Sequence, residues 1–175
     1  MAQLVMKRPP GAFARSDPGP IPVRAAGPGD AAGLADLLGA AFPEHIWTIA
    51  KANADLLQAV DVPVTFVIEE VGKIIATASV RYVQRFPESG YVHWVAVDPR
   101  QRGRRLGTVV MAHVLQRFAA DGRASSILET DDERLPAITS YLGQGFTPHY
   151  TDSDHEDRWS RVFERLAQAR RSKKD

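Results

Sequence analysis

Between Tyr91 and Gly122 the chain reads YVHWVAV, then DPRQRGRRLG, then TVVMAHVLQRFAADG. The first segment is apolar, β-branched and aromatic, which predicts a strand. The second is basic, with glycines at 103 and 107. From the end of the second segment through the third, Leu106, Val110, Val114 and Phe118 recur at steps of four, marking one face of a helix, and Asp121-Gly122 stops it. A strand therefore feeds a glycine-containing basic turn, and the turn opens a helix. The first amides of such a helix have no intrahelical acceptor and sit at the positive end of its dipole, so the turn is a place for a phosphate-like anion. Arg100, Arg102, Arg104 and Arg105 add charge around it. The plainer reading is an ordinary strand–turn–helix with a solvated basic turn.

Two phosphate motifs are excluded. GxxxxGK[ST] is absent because Gly103 and Gly107 lie too close together and no Lys-Ser/Thr follows, and GxGxxG is absent too. Val95-Ala96-Val97-Asp98-Pro99, followed by Arg102 and Gly107, resembles the signature of the GNAT acetyltransferases, Gln/Arg-x-x-Gly-x-Gly/Ala after a V-A-V-x-P strand end. Arg105 stands where that pattern has its first glycine. Helical φ/ψ does not require glycine, so a long side chain is expected to be accommodated there, near the pyrophosphate. A second landmark, Tyr141-Leu142-Gly143-Gln144-Gly145-Phe146, resembles the family's Y-x-x-x-G-F helix ending, with Ala137 four residues before the tyrosine. Arg134 takes the place, seven residues before Tyr141, where the family often has asparagine. The resemblance covers about residues 21 to 150.

The remaining chain bounds the reading. A length of 175 residues with 44% hydrophobic and 25% charged residues suits one globular domain. Net charge is +1, so no global field recruits nucleic acid. There is no cysteine, which excludes disulfides, thiolate metal sites and an enzyme thioester. No apolar run is long enough for a bilayer and no signal-peptide core is present, so a cytoplasmic protein without a membrane partner is expected. Residues 1–20, rich in Pro and Gly, read as a disordered or extended tail, of which residues 1–18 are expected to be removable without loss of the fold or of CoA binding. Residues 21–151 read as the domain, and 152–175 as a C-terminal helix and basic tail belonging to it. Within the domain, 21–24 reads as a short strand and Asp30 as an N-cap before an apolar stripe through Leu34, Leu37, Leu38 and Ala41. A helical pattern from Pro43 to about Val60 passes through Ile46, Trp47, Ile49, Leu56 and Leu57. A hairpin of Val64–Glu70 and Ile74–Val83 precedes the central unit, and strand 125–130, helix 134–144 and a short strand from Phe146 follow it. The last helix, 154–171, runs through Trp159, Val162, Phe163 and Leu166. The fold class is α/β (α+β): the order implies a parallel join between the strands at 91 and 125, and the GNAT resemblance implies a mixed central sheet whose parallel strands splay apart, flanked by helices.

The resemblance also implies the chemistry, direct transfer of an acetyl group from acetyl-CoA to a primary amine of a small molecule or peptide. The cofactor-binding residues it implies are Val95, Ala96, Val97, Arg102, Gly103, Arg104, Arg105, Leu106, Gly107, Thr108 and Arg134. Backbone amides of an interrupted strand near Val95 would polarise the thioester carbonyl. Tyr141 would protonate the leaving thiolate; its plainer reading is a core tyrosine. An alkylammonium must lose a proton to attack. His93 and Glu129 are candidate bases, with a packed histidine and a helix-capping glutamate as their plainer readings. Asp131, Asp132 and Glu44 are candidates to bind a cationic substrate, and Asp152, Asp154, His155 and Asp157 read as a solvated cluster rather than a metal site. A homodimer is compatible with the resemblance. Two rival functions stand beside transfer: a non-catalytic acyl-CoA-binding sensor or degenerate family member, and, last, a nucleic-acid-binding module on the arginine turn.

Overall fold

The apolar residues Leu106, Val110, Val114 and Phe118 are all buried along helix Leu106–Ala120 in the computed structural model, which describes residues 3–10 and 21–172. In chain order the elements are strands β1 (Leu4–Arg8) and β2 (Arg24–Ala25), helices α1 (Ala31–Ala41) and α2 (Ile49–Ala52), strands β3 (Val64–Glu70), β4 (Lys73–Arg81) and β5 (Ser89–Val97), then α3 (Leu106–Ala120), β6 (Ser125–Thr130), α4 (Leu135–Gly143), β7 (Thr147–His149) and α5 (His155–Arg171). One seven-stranded sheet runs in the order β2-β3-β4-β5-β6-β1-β7. Among the described residues only β5 and β6 pair in parallel, as the intervening helix α3 requires. The mixed sheet flanked by helices matches the expected fold class.

Two apolar clusters hold the helices. Leu34, Leu37 and Leu38 of α1 pack with Ala52, Leu56, Val67 and Ala96. A larger cluster joins Val110, Val114 and Phe118 of α3 to Ile138 of α4, Trp159 and Val162 of α5, and Leu4 and Met6 of β1. Gly90 of β5 faces the Phe118 ring so closely that a Cβ there would lie 2.2 Å from it, which explains the glycine in a strand interior.

The tail reading of residues 1–20 is corrected by β1. Leu4, Val5 and Met6 are fully buried, and the strand pairs antiparallel with β6 (Val5 opposite Glu129) and with β7 (Val5 opposite His149). The short segment LVMKR lacks period-2 alternation because both its faces are covered, so a periodicity reading finds no strand in it. The Arg8 side chain, 2% exposed, donates to the Gln144 carbonyl at 2.8 Å and ties the strand to the end of α4. Residues 11–20 lie outside the described residues.

Smaller departures have local causes. The helix expected from Pro43 begins only at Ile49, where the Thr48 hydroxyl accepts from the Lys51 amide, and it widens into a π-type turn over Asn53–Leu57. Ile46 is consequently outside any helix and 86% exposed. Asp30 precedes α1, but its carboxylate accepts from the Gly27 amide at 2.7 Å and pairs with Arg24 instead of capping α1. Phe163, expected on the buried stripe of α5, is 42% exposed.

The sheet opens where the site lies. Pairing between β5 and β6 covers Ser89–Tyr91 opposite Ser125–Ile127 and then ends, so the C-terminal halves of the two strands splay. At the same level the β4–β5 register passes from Ser79 opposite His93 to Thr77 opposite Ala96, so Trp94 and Val95 together face Ala78. This is a β-bulge, and Trp94 carries its strain at φ 45°.

Candidate active site

Splayed strands leave a cleft between their ends, and two connected cavities fill it. The larger, about 810 Å³, is lined on one side by Val95, Ala96 and Val97, by the turn residues Arg102, Gly103 and Arg105, and by Leu106, Gly107 and Thr108 at the start of α3. Arg134, Ala137, Ser140 and Tyr141 line it from the start and inner face of α4. The smaller, about 480 Å³, includes His93, Trp94 and Glu129. Glu44, Val95, Asp131, Arg134 and Tyr141 line both, so the bulge and the Tyr141 phenol stand where the compartments join.

The four arginines of the turn divide into two pairs. Arg100 is held by Asp98 (2.7 Å) and Arg104 by Glu70 (2.5 Å), so Arg104 does not line the cleft. The Asp98 carboxyl is pulled down to about 2, first by its bonds from the Arg100 side chain and backbone. Arg102 and Arg105 line the cleft instead. Arg105 is the N-cap residue of α3 and lies in the left-handed region, φ 60°. The expectation that helical geometry removes any need for glycine is therefore corrected: the position precedes the helix proper, and an L-side chain costs about 1–2 kcal/mol in that conformation. Gly103, φ 84°, meets the same demand with no Cβ. A Cβ on Gly107 would meet only Val97 Cγ2, at 3.5 Å, so packing within the protein is not what keeps that residue small.

On the far wall, burial pushes the Tyr141 phenol up to about 12, with Arg134 pulling the other way. The hydroxyl therefore keeps its proton throughout the neutral range. Gly145, φ 86°, turns the chain after α4, and the Phe146 amide returns to the Tyr141 carbonyl at 3.1 Å. Arg134 stacks its guanidinium 4.0 Å over Phe42 and approaches the Ala41 carbonyl at 3.4 Å, bridging α4 to the end of α1.

The base candidates differ. His93 Nε2 lies 3.4 Å from Arg81 Nη1, and burial, helped by the Arg81 charge, pushes its pKa down to about 4. Glu129 accepts from Tyr91 Oη at 2.8 Å and pairs with Arg85 at 2.7 Å. Asp131 accepts from Gln3 at 3.0 Å, whereas Asp132 turns to Arg158 (2.5 Å) and is absent from both cavities. Asp152 and Asp154 likewise serve His155 (3.3 Å) and Arg158 (3.5 Å). Sequence reasoning missed Gln3, Phe42, His45 and Trp94 in the smaller cavity and Pro136 and Ser140 in the larger. For the α4 pair a signal existed, since Pro136, Ala137, Ser140 and Tyr141 share a helical face; none marks Gln3.

The state of His93 has a consequence for stability. Its folded pKa, about 4, lies below the ordinary 6.5, so the unfolded chain binds more protons between those values. Stability is thus complete above pH 6.5 and is lost as pH falls toward 4, by up to about 3 kcal/mol. Urea melts of the native protein and His93→Gln across pH 7 to 4 should show that acid loss shrinking in the variant.

Comparison with known proteins agrees with this geometry. The model that describes the Acetyltransferase (GNAT) family matches residues 33–146, nearly two thirds of the chain. A mycothiol acetyltransferase of Nocardioides sp. is 38% identical over 68 residues, covering 39% of this chain and 23% of that protein. The chain thus matches under a quarter of that curated relative's length. An acetyltransferase of the GNAT family from Colwellia psychrerythraea superposes with a TM-score of 0.68 at 19% identity, over 85% of this chain and 53% of that one. The ribosomal-protein-S18-alanine N-acetyltransferase of Escherichia coli does so with a TM-score of 0.63 at 20% identity, over 74% and 79%. At such identities the superpositions speak for the fold alone. No helix among the described residues is long and apolar enough to cross a membrane. With the family match spanning both the arginine turn and the Tyr141 helix, this chain belongs to the acetyltransferase (GNAT) family.

Proposed function

We propose that the chain is an acetyl-CoA-dependent N-acetyltransferase that transfers an acetyl group directly to a primary amine. One observation carries this reading: the bulged Trp94–Val95 peptide, the α3 N-terminus and the protonated Tyr141 phenol converge on one two-compartment cleft. The larger compartment fits the cofactor. Arg102 and Arg105 line it, and Gly107 keeps its wall open beside the first-turn amides. Bound there, acetyl-CoA would supply the activated acyl group. The peptide at the bulge, out of the ladder, is available to hold the acyl oxygen. Tyr141 Oη holds the proton for the departing sulfur. Glu129 suits the base better than His93, since a group with a pKa of about 4 whose ring nitrogen faces Arg81 takes a proton poorly at neutral pH. Glu129, although bonded by Tyr91 and Arg85, keeps acceptor capacity for a water on the amine. The whole forms a single domain, with α5 part of its core through Trp159 and Val162.

The test has two readouts. Acetyl-CoA at about a hundredfold over its dissociation constant should stabilise the protein by about 2.7 kcal/mol, seen as a raised melting temperature. Thiol release with an amine panel should follow, and should fall in Glu129→Gln. Stabilisation without release from any amine would favour the acyl-CoA sensor; no stabilisation at millimolar acetyl-CoA would count against the cofactor site itself.

Arg105 separates affinity from stability. Arg105→Gly relieves the left-handed strain, so the melting temperature should hold or rise slightly, the gain being reduced by glycine's freedom in the unfolded chain. The lost cation should weaken acetyl-CoA binding by about five- to tenfold, equivalent to about 1–1.4 kcal/mol, and more so at low salt. Calorimetric titration beside a thermal melt measures both.

A further inference from the structure

The smaller compartment has a chemistry of its own. At about 480 Å³ it holds one small molecule. Because it shares Val95 and Tyr141 with the larger cleft, anything seated in it is presented to the bulge and the phenol. Part of its wall is apolar, formed by Phe42, Val92, Trp94 and Leu128. Trp94 is fixed by rings packed at steep angles to it: Phe42 and Trp47 with centroids at 4.9 Å, and His45 at 5.2 Å.

Three carboxylates complete the compartment, and their commitments differ. Glu129 is already compensated by Arg85. Asp131 takes only the neutral amide of Gln3, and Glu44 lies 3.9 Å from His45, with no arginine or lysine on either among the described residues. The guanidinium that lines the compartment, Arg134, is stacked on Phe42.

We propose that the acceptor is a small primary ammonium ion on an apolar aromatic body, an arylalkylamine without a carboxylate or phosphate. The reading rests on the N-acetyltransferase assignment above. Glu44 and Asp131 attract the ammonium, and an aromatic face such as that of Trp94 adds to its binding. The aromatic body covers the part of Trp94 that the surrounding rings leave open, on a wall whose other apolar residues, Phe42, Val92 and Leu128, are already nearly buried. A substrate carboxylate would meet the like charges of Glu44 and Asp131. Once Glu44 and Asp131 hold the first ammonium, a second ammonium or the hydroxyls of an amino sugar would lose water where they meet Trp94.

Phenethylamine and phenylalanine differ by one carboxylate, which makes them the decisive pair. At saturating acetyl-CoA, kcat/KM should be about a hundredfold or more higher for phenethylamine than for phenylalanine, spermidine or glucosamine. Asp131→Asn and Glu44→Gln, which keep side-chain volume, should each raise KM for phenethylamine about three- to tenfold, in line with one partly exposed charge contact, and change KM for acetyl-CoA less, although both residues also border the larger compartment. Trp94→Leu should do the same, and if its bulge does not form, the two carboxylate variants decide alone. Equal or better turnover of phenylalanine, spermidine or glucosamine overturns the proposal while the cofactor assignment stands. So does thermal stabilisation by acetyl-CoA with no release from any of the four amines. Failure of acetyl-CoA to stabilise the protein removes the assignment on which the proposal is built.

Discussion

Deleting residues 1–8 is expected to abolish cooperative folding. Leu4, Val5 and Met6 are each 0% exposed, and burial of three such side chains contributes roughly 5–9 kcal/mol. That is comparable to the whole net stability of a typical domain, about 5–15 kcal/mol. The loss goes beyond packing, because β1 is an interior strand: without it the backbone of β6 is an open edge and β7 has no neighbour in the sheet. Arg8, buried against Gln144, would leave too, and with it an anchor for the end of α4 that carries Tyr141. A urea titration followed by circular dichroism should show no cooperative transition for the truncated chain. Met6→Ala, which leaves the strand in place, should lower stability by about 2–5 kcal/mol in the same assay. A truncated protein melting within a few degrees of the full chain would return residues 1–8 to the status of a dispensable tail.

Tyr141→Phe is expected to reduce turnover by about a hundredfold or more while leaving the molecule otherwise intact. The substitution removes only the hydroxyl. The ring keeps its place in the core cluster and its contact with Phe146, centroids 6.2 Å apart, so the melting temperature should move little. KM for acetyl-CoA should also hold, since the loss falls on a group needed in the transition state. The phenol, pushed up to about 12, stays protonated well above neutral pH, so the native enzyme should not lose its acid as pH is raised to 10. An acyl donor whose thiol has a lower pKa should narrow the gap between native and variant enzymes, because that leaving group needs less help. Full activity in the variant would leave Tyr141 a core residue and water the acid.

What the linear chain determined about this protein is local. The strand–turn–helix of 91–122 and the Tyr141–Phe146 helix ending depend on propensity, period and stop signals within a few residues, and the α/β class followed from the order of elements, whereas the splayed sheet and its lining were implied by the GNAT resemblance. The parallel join of β5 and β6 followed because the α3 crossover leaves no shorter return. Tertiary structure alone decided the rest. LVMKR carries no alternation, and only contact with β6 on one side and β7 on the other makes it a strand. Trp94 and Arg105 adopt positive φ, where local preference is against them and the surrounding sheet and turn must hold them. The division of the arginines was equally invisible: Arg104 turns to Glu70, 34 residues away, while Arg105 next to it lines the cleft. So was the smaller compartment of the cleft, assembled from Gln3, Phe42, Trp94 and Glu129 on separate stretches of the chain. Residues far apart in sequence become one surface only when the sheet brings their strands together, and the loop-closure entropy of those contacts is offset by the core and not by the residues at the site.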